Sequence, residues 1–404
     1  MKFAAFGLIC LVCLVCRLHG QPPLVIITDM EPDDRIALAM VAASELAQRV
    51  LAIGTTVLNA ERKAALARHA LQETALAGVK VYAGTGGTAN DYPEMKSTKA
   101  AREYGDQEGK EILEQDVLDK FRTRAKTNEN DFQDFLSTLL NKNDGVKIDF
   151  LVLAPPTDLA AVLCKNSELA RAIGHVHLMG GWNETKGRTR SSTILRSSYN
   201  VNMDGKASAQ LLKMASERKV KVTLYSSHVI AKQFKGSING NSFPTLIKMI
   251  ETSKAPCKLS DLNLTQKLRR ISGIEAFRTA GLHWDSNLVQ HYEKLKDTVG
   301  QYKGKQFTPA DPLTVLGLLT PELIKATERV QVEVIIPDEV PSEDGYEMLM
   351  QADTSSGITL VTEFDLGVFQ TKMERIMQKY EGAATPTKDK RRAGRLTQLR
   401  KKEG

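Results

Sequence analysis

Seven residues near the start of the chain, Thr28-Asp29-Met30-Glu31-Pro32-Asp33-Asp34, carry four carboxylates. Acids packed this densely repel one another and need either solvent or a bound cation to coexist. Helix capping is the ordinary use of such residues: Asp33 or Asp34 at a helix start would contribute roughly 0.5–2 kcal/mol. Capping explains one acid, not four, and leaves the others to solvent or to a bound cation.

The turn sits between two elements that would position it. Residues 24–27 are wholly apolar, and helix-like spacing follows in Ile36, Leu38, Met40 and Val41, which predicts a strand, an acidic turn and a helix. In open α/β sheets, ligands bind at that carboxyl edge of the strands. Further apolar strands are predicted at residues 50–56 (ending at Asn59), 79–83, 148–154, 175–179, 220–226 and 330–336, with helical spacing over 61–77 and around 132–140. Strands alternating with helices at this interval predict an α/β fold with an open, mostly parallel sheet flanked by helices. Residues 90–144 are polar and read in part as a surface excursion, and residues 230–306 as a mostly helical stretch flanking or lidding the site. Without an internal linker, residues 21–380 are expected to form one domain.

The acidic turn resembles the N-terminal aspartate motif of the inosine–uridine-preferring nucleoside hydrolases, D-x-D-P-G-x-D-D, with Ile27 at the place of the first Asp. Four later segments are similar to further motifs of that family, in the same order: LVLAPPTDLAAVL, HVHLMGGWN, SSYNVNMDGKAS and TPADPLTVL. Together they cover residues 24–340.

The resemblance implies a metal site in which Asp29, Asp34 and Asp311 are carboxylate ligands, joined by a backbone carbonyl near Leu153. Such all-oxygen ligation selects a hard cation, Ca²⁺ first and Mg²⁺ second. It implies hydrolysis of an N-ribosidic bond in a small-molecule ribonucleoside. The ion activates a water and holds the ribose diol, Asp33 takes the water's proton, and neighbouring carboxylates stabilise the positive charge that builds on the ribose. Asn200 and Asn59 are expected on ribose hydroxyls, and Asp158 stands where the family has Asn, although turn and cap chemistry equally suits Asn59 and Asp158. Trp182 is expected either to stack on a base or to pack as a core residue. Three departures bear on function. Ala310 replaces the His before the last metal Asp, a candidate acid for the leaving base; Ser198 replaces a Glu that contacts the ribose 5′-hydroxyl; and Tyr104-Gly105 falls where the family has His-Gly. The remaining histidines have no assigned role: His175 and His177 sit in a predicted strand and suit core positions better than catalytic ones, and His228 and His283 are no more than candidates for the pocket. These departures also admit a secreted binding or effector protein that keeps the fold without turnover, or a hydrolase of another ribosyl compound.

The 404 residues, 42% hydrophobic and 25% charged, with a mean hydropathy of −0.26, suit a globular protein with ample core. Residues 1–20 pair Lys2 with an apolar run and end in Arg17-Leu18-His19-Gly20. They are expected to be a secretory signal peptide that makes the mature chain extracellular, with an uncleaved anchor as the alternative. The net charge of +7 divides into +2 over residues 1–20 and +6 over 388–404, leaving −1 for residues 21–387. Basicity therefore belongs to the ends. It gives the body no nucleic-acid-binding face, and residues 381–404 are expected to be a disordered basic tail. Cys164 and Cys257 are the only cysteines after residue 20, which excludes a disulfide framework but not a single bridge. No stable membrane insertion is expected after signal cleavage, and assembly as a homo-oligomer stays open.

Overall fold

The structure, a computed structural model, describes residues 20–71, 74–87, 94–95, 131–142, 145–237, 310–338, 341–369 and 371–372. The segment 1–19, Tyr104, Gly105, Cys257, His283, most of 230–306 and the basic tail lie outside the described residues.

The described chain is organised by one sheet of eleven strands. In sequence these are β1 (Leu24–Thr28), β2 (Val50–Thr55), β3 (Lys80–Ala83), β4 (Ile148–Val152), β5 (Ile173–Gly180), β6 (Trp182–Arg188), β7 (Thr193–Ser197), β8 (Val222–Ser226), β9 (Ile324–Ile335), β10 (Glu347–Ala352) and β11 (Ile358–Phe364). Their spatial order is β3-β2-β1-β4-β5-β8-β11-β9-β10-β7-β6. From β3 to β11 every pairing is parallel, and from β11 to β6 every pairing is antiparallel. The expected mostly parallel α/β sheet is thus present, extended by an antiparallel wing.

β1 lies inside the parallel region and is buried on both faces. Leu24 and Ile26 enter the core on one side, Val25 and Ile27 on the other, which is why a continuous apolar run rather than an alternating one marks it. The helices cover both faces. They are α1 (Pro32–Ala42), α2 (Ala60–Leu71), α3 (Asp131–Asn141), α4 (Thr157–Lys165), α5 (Tyr199–Met203), α6 (Gly205–Ser216), α7 (Ser227–Ser237) and α8 (Ala310–Leu319). Helix α8 is buried from Ala310 through Gly317 and packs on α1, so its first turn arrives beside the end of β1. No helix among the described residues is long and apolar enough to cross a membrane. Cys164 is exposed and makes no disulfide among the described residues.

Below the sheet's ligand edge, His177 lies between His175 and Tyr225, with ring centroids at 4.6 and 6.1 Å. Burial, then His175 and Arg49, pushes the His177 pKa down to about 3. It is a half-buried, neutral imidazole packed between two rings within the sheet, and it does not line the cavity at that edge.

Close approach fixes one glycine in the parallel half. A Cβ on Gly54 of β2 would run into the ring of Phe132, the fully buried residue with which α3 docks. Gly54→Ala is therefore expected to lower stability by about 1–3 kcal/mol through overpacking, read as a lower urea midpoint with an unchanged m-value.

Candidate functional site

The chain runs outward from β1 through β2 to β3, then returns to place β4 on the other side of β1. The crevice at the carboxyl ends of β1 and β4 is the switch point at which an open sheet leaves room for a ligand. A cavity of about 160 Å³ opens there. It receives Asp29, Glu31, Asp33 and Asp34 from the turn after β1, Leu153 from the end of β4, and Met179 from β5. Asn183 comes from β6, Tyr199 and Asn200 from α5, Ser227 from α7, and Asp311 from α8.

The acidic turn is held by its own backbone. Met30 has φ +60°, a conformation that L-residues adopt at a cost and that requires support from its surroundings. That support is visible: the Met30 N–H donates to Thr28 Oγ1 at 3.1 Å, and Arg35 Nε donates to the Met30 carbonyl at 3.1 Å. The Glu31 N–H donates to Asp34 Oδ2 at 3.0 Å, while the Thr28 hydroxyl donates to Asp34 Oδ1. Pro32 opens helix α1 at a position where a missing N–H costs nothing. The capping role that sequence reasoning assigns to Asp33 or Asp34 is taken by Glu31 as the cap residue, with Asp34 bonding back to its N–H.

The electrostatics are those of crowded acids. Ligand oxygens of Asp33, Asp34 and Asp311 lie within 4.8 Å of one another, and Asp29 is buried beside them. Burial, followed by Asp29 and Asp33, pushes the Asp34 carboxyl well above the usual range. Burial, followed by Asp34, Asp33 and Asp29, does the same to Asp311. Asp29 Oδ2 and Asp311 Oδ1 are buried without a hydrogen-bond partner among the described residues. Two orphaned carboxylate oxygens in one oxygen-lined cavity, with neither His nor Cys in its lining, fit a hard cation.

Asn200 is anchored from behind. Its amide Nδ2 donates to the Leu153 carbonyl at 2.7 Å and lies 3.4 Å from that of Met179, so the orientation of the amide is fixed and its oxygen is left to accept. The Leu153 carbonyl, expected near an ion, accepts this bond and still has a second lone pair.

Three residues expected on substrate do not line the cavity. Asn59 is exposed, and its carbonyl accepts from the Arg62 and Lys63 N–H groups at the start of α2, so it serves helix initiation. Asp158 is fully buried and accepts from the Thr85 N–H, the Thr85 hydroxyl and Gln133 Nε2, each at 3.1 Å. Its oxygens are turned to these donors, and it ties the turn after β3 to α3 and α4. Trp182 is buried in the core of one sheet face, with its ring against His228 at 6.4 Å, so it packs rather than stands open to a ligand. His228, a pocket candidate without an assigned role, does not line the cavity and holds its Nδ1 3.0 Å from the Asn183 carbonyl. Ser198 is buried outside the cavity, with a hydroxyl that has no partner among the described residues.

Glu31, Met179, Asn183, Tyr199 and Ser227 enter the lining without having been assigned a role from sequence. A signal existed for most: Asn183 follows the Gly180-Gly181-Trp182 strand end, Tyr199 precedes Asn200, and Glu31 lies inside the acidic turn.

The raised carboxyls carry a linkage consequence. A folded-state pKa above the unfolded value means that stability is full in acid and declines as pH rises past the ordinary aspartate range. In the metal-free protein, Asp311→Asn is therefore expected to raise the melting temperature at neutral pH and to flatten its fall between acid and neutral pH. Thermal melts of both proteins with a chelator across that range provide the check.

The sequence profile of a family described as inosine-uridine preferring nucleoside hydrolase matches residues 24–371. No curated protein matches the chain. Among solved structures, a purine-preferring ribonucleoside hydrolase from Gardnerella vaginalis is 18% identical, with a TM-score of 0.55 over 90% of this chain and 99% of that one. An inosine-guanosine nucleoside hydrolase is 16% identical, with a TM-score of 0.55 over 88% and 98%. An inosine-uridine preferring nucleoside hydrolase from Bacillus anthracis is 14% identical, with a TM-score of 0.54 over 89% and 100%. At these identities the likeness is one of fold.

Proposed function

The chain belongs to the inosine–uridine preferring nucleoside hydrolase family, a family of N-glycosidic hydrolases, and from that premise we propose that it cleaves the N-ribosidic bond of ribonucleosides with the help of one Ca²⁺. The observation that carries this reading is the meeting of Asp29, Asp33, Asp34 and Asp311 at one cavity with two carboxylate oxygens left unpartnered among the described residues. Asp29, Asp34 and Asp311 would hold the ion, with the Leu153 carbonyl as a further donor. When bound, the ion supplies a lowered pKa for a coordinated water and a grip on the ribose diol.

The remaining work falls to side chains. Asp33, the least buried of the three clustered acids, takes the proton of the attacking water as general base. Positive charge that develops on the ribose as the bond to the base breaks is stabilised by the surrounding carboxylates. Asn200, its amide locked by Leu153 and Met179, accepts from a ribose hydroxyl. The same acids disfavour an anionic substrate, which suits an uncharged nucleoside. The signal-like residues 1–20 support an extracellular site of action.

Release of free base and ribose from a panel of ribonucleosides, abolished by chelation and restored by Ca²⁺, tests the reading directly. Calorimetry should find one Ca²⁺ site that Asp34→Ala and Asp311→Ala both remove, and retention of binding in both variants would reject the ligand set. Ala310 has no proton to give a departing base, and general-acid help is typically worth about 10²–10⁴ in rate. A nitrophenyl riboside, whose leaving group departs as a stable anion, is therefore expected to be cleaved much faster than inosine or uridine, and Ala310→His to narrow that gap. Equal efficiency on both kinds of substrate in the parent would show that another donor serves the base, and Ca²⁺ binding without cleavage of either would mark a protein that binds but does not turn over.

A further inference from the structure

Two stretches of the chain, Asn183-Glu184-Thr185 and Asn263-Leu264-Thr265, carry the acceptor pattern for an N-linked glycan, an Asn followed two places later by Thr with no Pro between. Asn263 lies outside the described residues. Asn183 is the second residue of β6, and the fold presents it outward. Asn183, Glu184 and Thr185 are all exposed. In the pairing of β6 with β7, Trp182 faces Ser197 and Glu184 faces Arg196, so Asn183 is the extra residue of a bulge, without a partner of its own across the ladder. A bulge re-aims the side chain it carries, and this one sets Asn183 on the rim of the cavity. No described strand lies beyond β6.

The Asn183 amide can carry a substituent without loss of its surroundings. Its Nδ2 donates to the Ser197 carbonyl at 3.5 Å, the outer limit of such a bond. An amide nitrogen has two protons, so a substituent on Nδ2 leaves one for Ser197. The backbone is held independently, by the buried Trp182 before it and by His228 Nδ1, 3.0 Å from the Asn183 carbonyl. We infer that Asn183 is an N-glycosylation site whose glycan stands at the mouth of the cavity and over β6. The inference rests on the reading of residues 1–20 as a secretory signal, not on the hydrolase reading. The donor is an oligosaccharide carried on a polyprenyl diphosphate, met on the secretory route. Asn183 Nδ2 forms a bond to the sugar's C1 as the bond from C1 to the diphosphate oxygen breaks; the lipid diphosphate leaves with the electron pair, and the nitrogen gives up one proton.

The test expresses the full chain, residues 1–20 included, in a secreting eukaryotic cell line as the parent, Thr185→Val and Thr185→Ser. Thr185→Val removes the acceptor pattern, leaves Asn183 in place and keeps a β-branched residue in the strand, whereas Thr185→Ser keeps the pattern. Treatment of the secreted proteins with a peptide-N-glycosidase in heavy-oxygen water should convert Asn183 to labelled aspartate in the parent and in Thr185→Ser, and leave it unlabelled in Thr185→Val. Lys186 and Arg188 are exposed just beyond the site, so tryptic cleavage of the native chain after them should be severalfold slower in the parent than in Thr185→Val. The parent deglycosylated in its native state should cleave as Thr185→Val does, without any substitution. A secreted parent unlabelled at Asn183 overturns the site, whatever Asn263 carries, and equal cleavage with and without the glycan overturns its placement over β6. A chain retained in the cells without a glycan overturns the secretory reading and this inference with it.

Discussion

Like charges brought together away from water set the terms for the rest of this molecule. At an effective dielectric of about 20, two unit charges 4 Å apart repel by roughly 4 kcal/mol, and the cavity gathers four aspartates around one point. Such a cluster persists only where the backbone leaves it no alternative. The left-handed Met30, the bonds from Thr28 and Glu31 to Asp34 and the Arg35 strut on the Met30 carbonyl are the means. Helix α8 supplies the remaining acid because its apolar body is buried against α1, so core packing drives Asp311 into a position that electrostatics alone would oppose.

Topology explains why the other contributors come from so many parts of the chain. Parallel strands present their carboxyl ends on one edge, and β1, β4, β5 and β8 are consecutive neighbours there. Leu153, Met179 and Ser227 each lie at or just beyond such an end, so residues up to 282 positions apart, Asp29 and Asp311, need no long excursion to meet. The antiparallel wing then adds Asn183 at its first residues after the Gly180-Gly181 turn, where φ values of +142° and +77° let the chain reverse beside Ser198 and Asn200.

What sequence could tell followed the physics of each element. Strands β1, β2 and β4 are legible because burial on both faces favours continuous apolar runs, β5 and β8 because apolar residues alternate with polar ones along them, and the acids are legible because nothing else in a turn requires four of them. The β6–β7 hairpin and β10 escaped, since WNETKGR and EMLMQA are polar or mixed and draw their stability from partners distant in sequence. The same limit governs the site. Asp158 sits in a segment similar to a substrate-binding motif, yet its carboxylate is engaged by Thr85 and Gln133, partners that no local pattern announces. Tyr199 and Glu31 are separated by 168 positions, and only the fold brings both to the cavity.

The wing that carries Asn183 also ends the sheet. Among the described residues strand β6 is an outer strand, and an unpaired strand edge is a template for another chain to add to. From Asn183 to Arg188 its residues face solvent almost without interruption, with Glu184, Lys186 and Arg188 among them, and its pairing with β7 is broken by two irregularities of register. Charge and bulges of this kind blunt edge-to-edge docking. The segment that delivers one side chain to the cavity thereby also gives the described sheet an outer margin poorly shaped for another strand to extend.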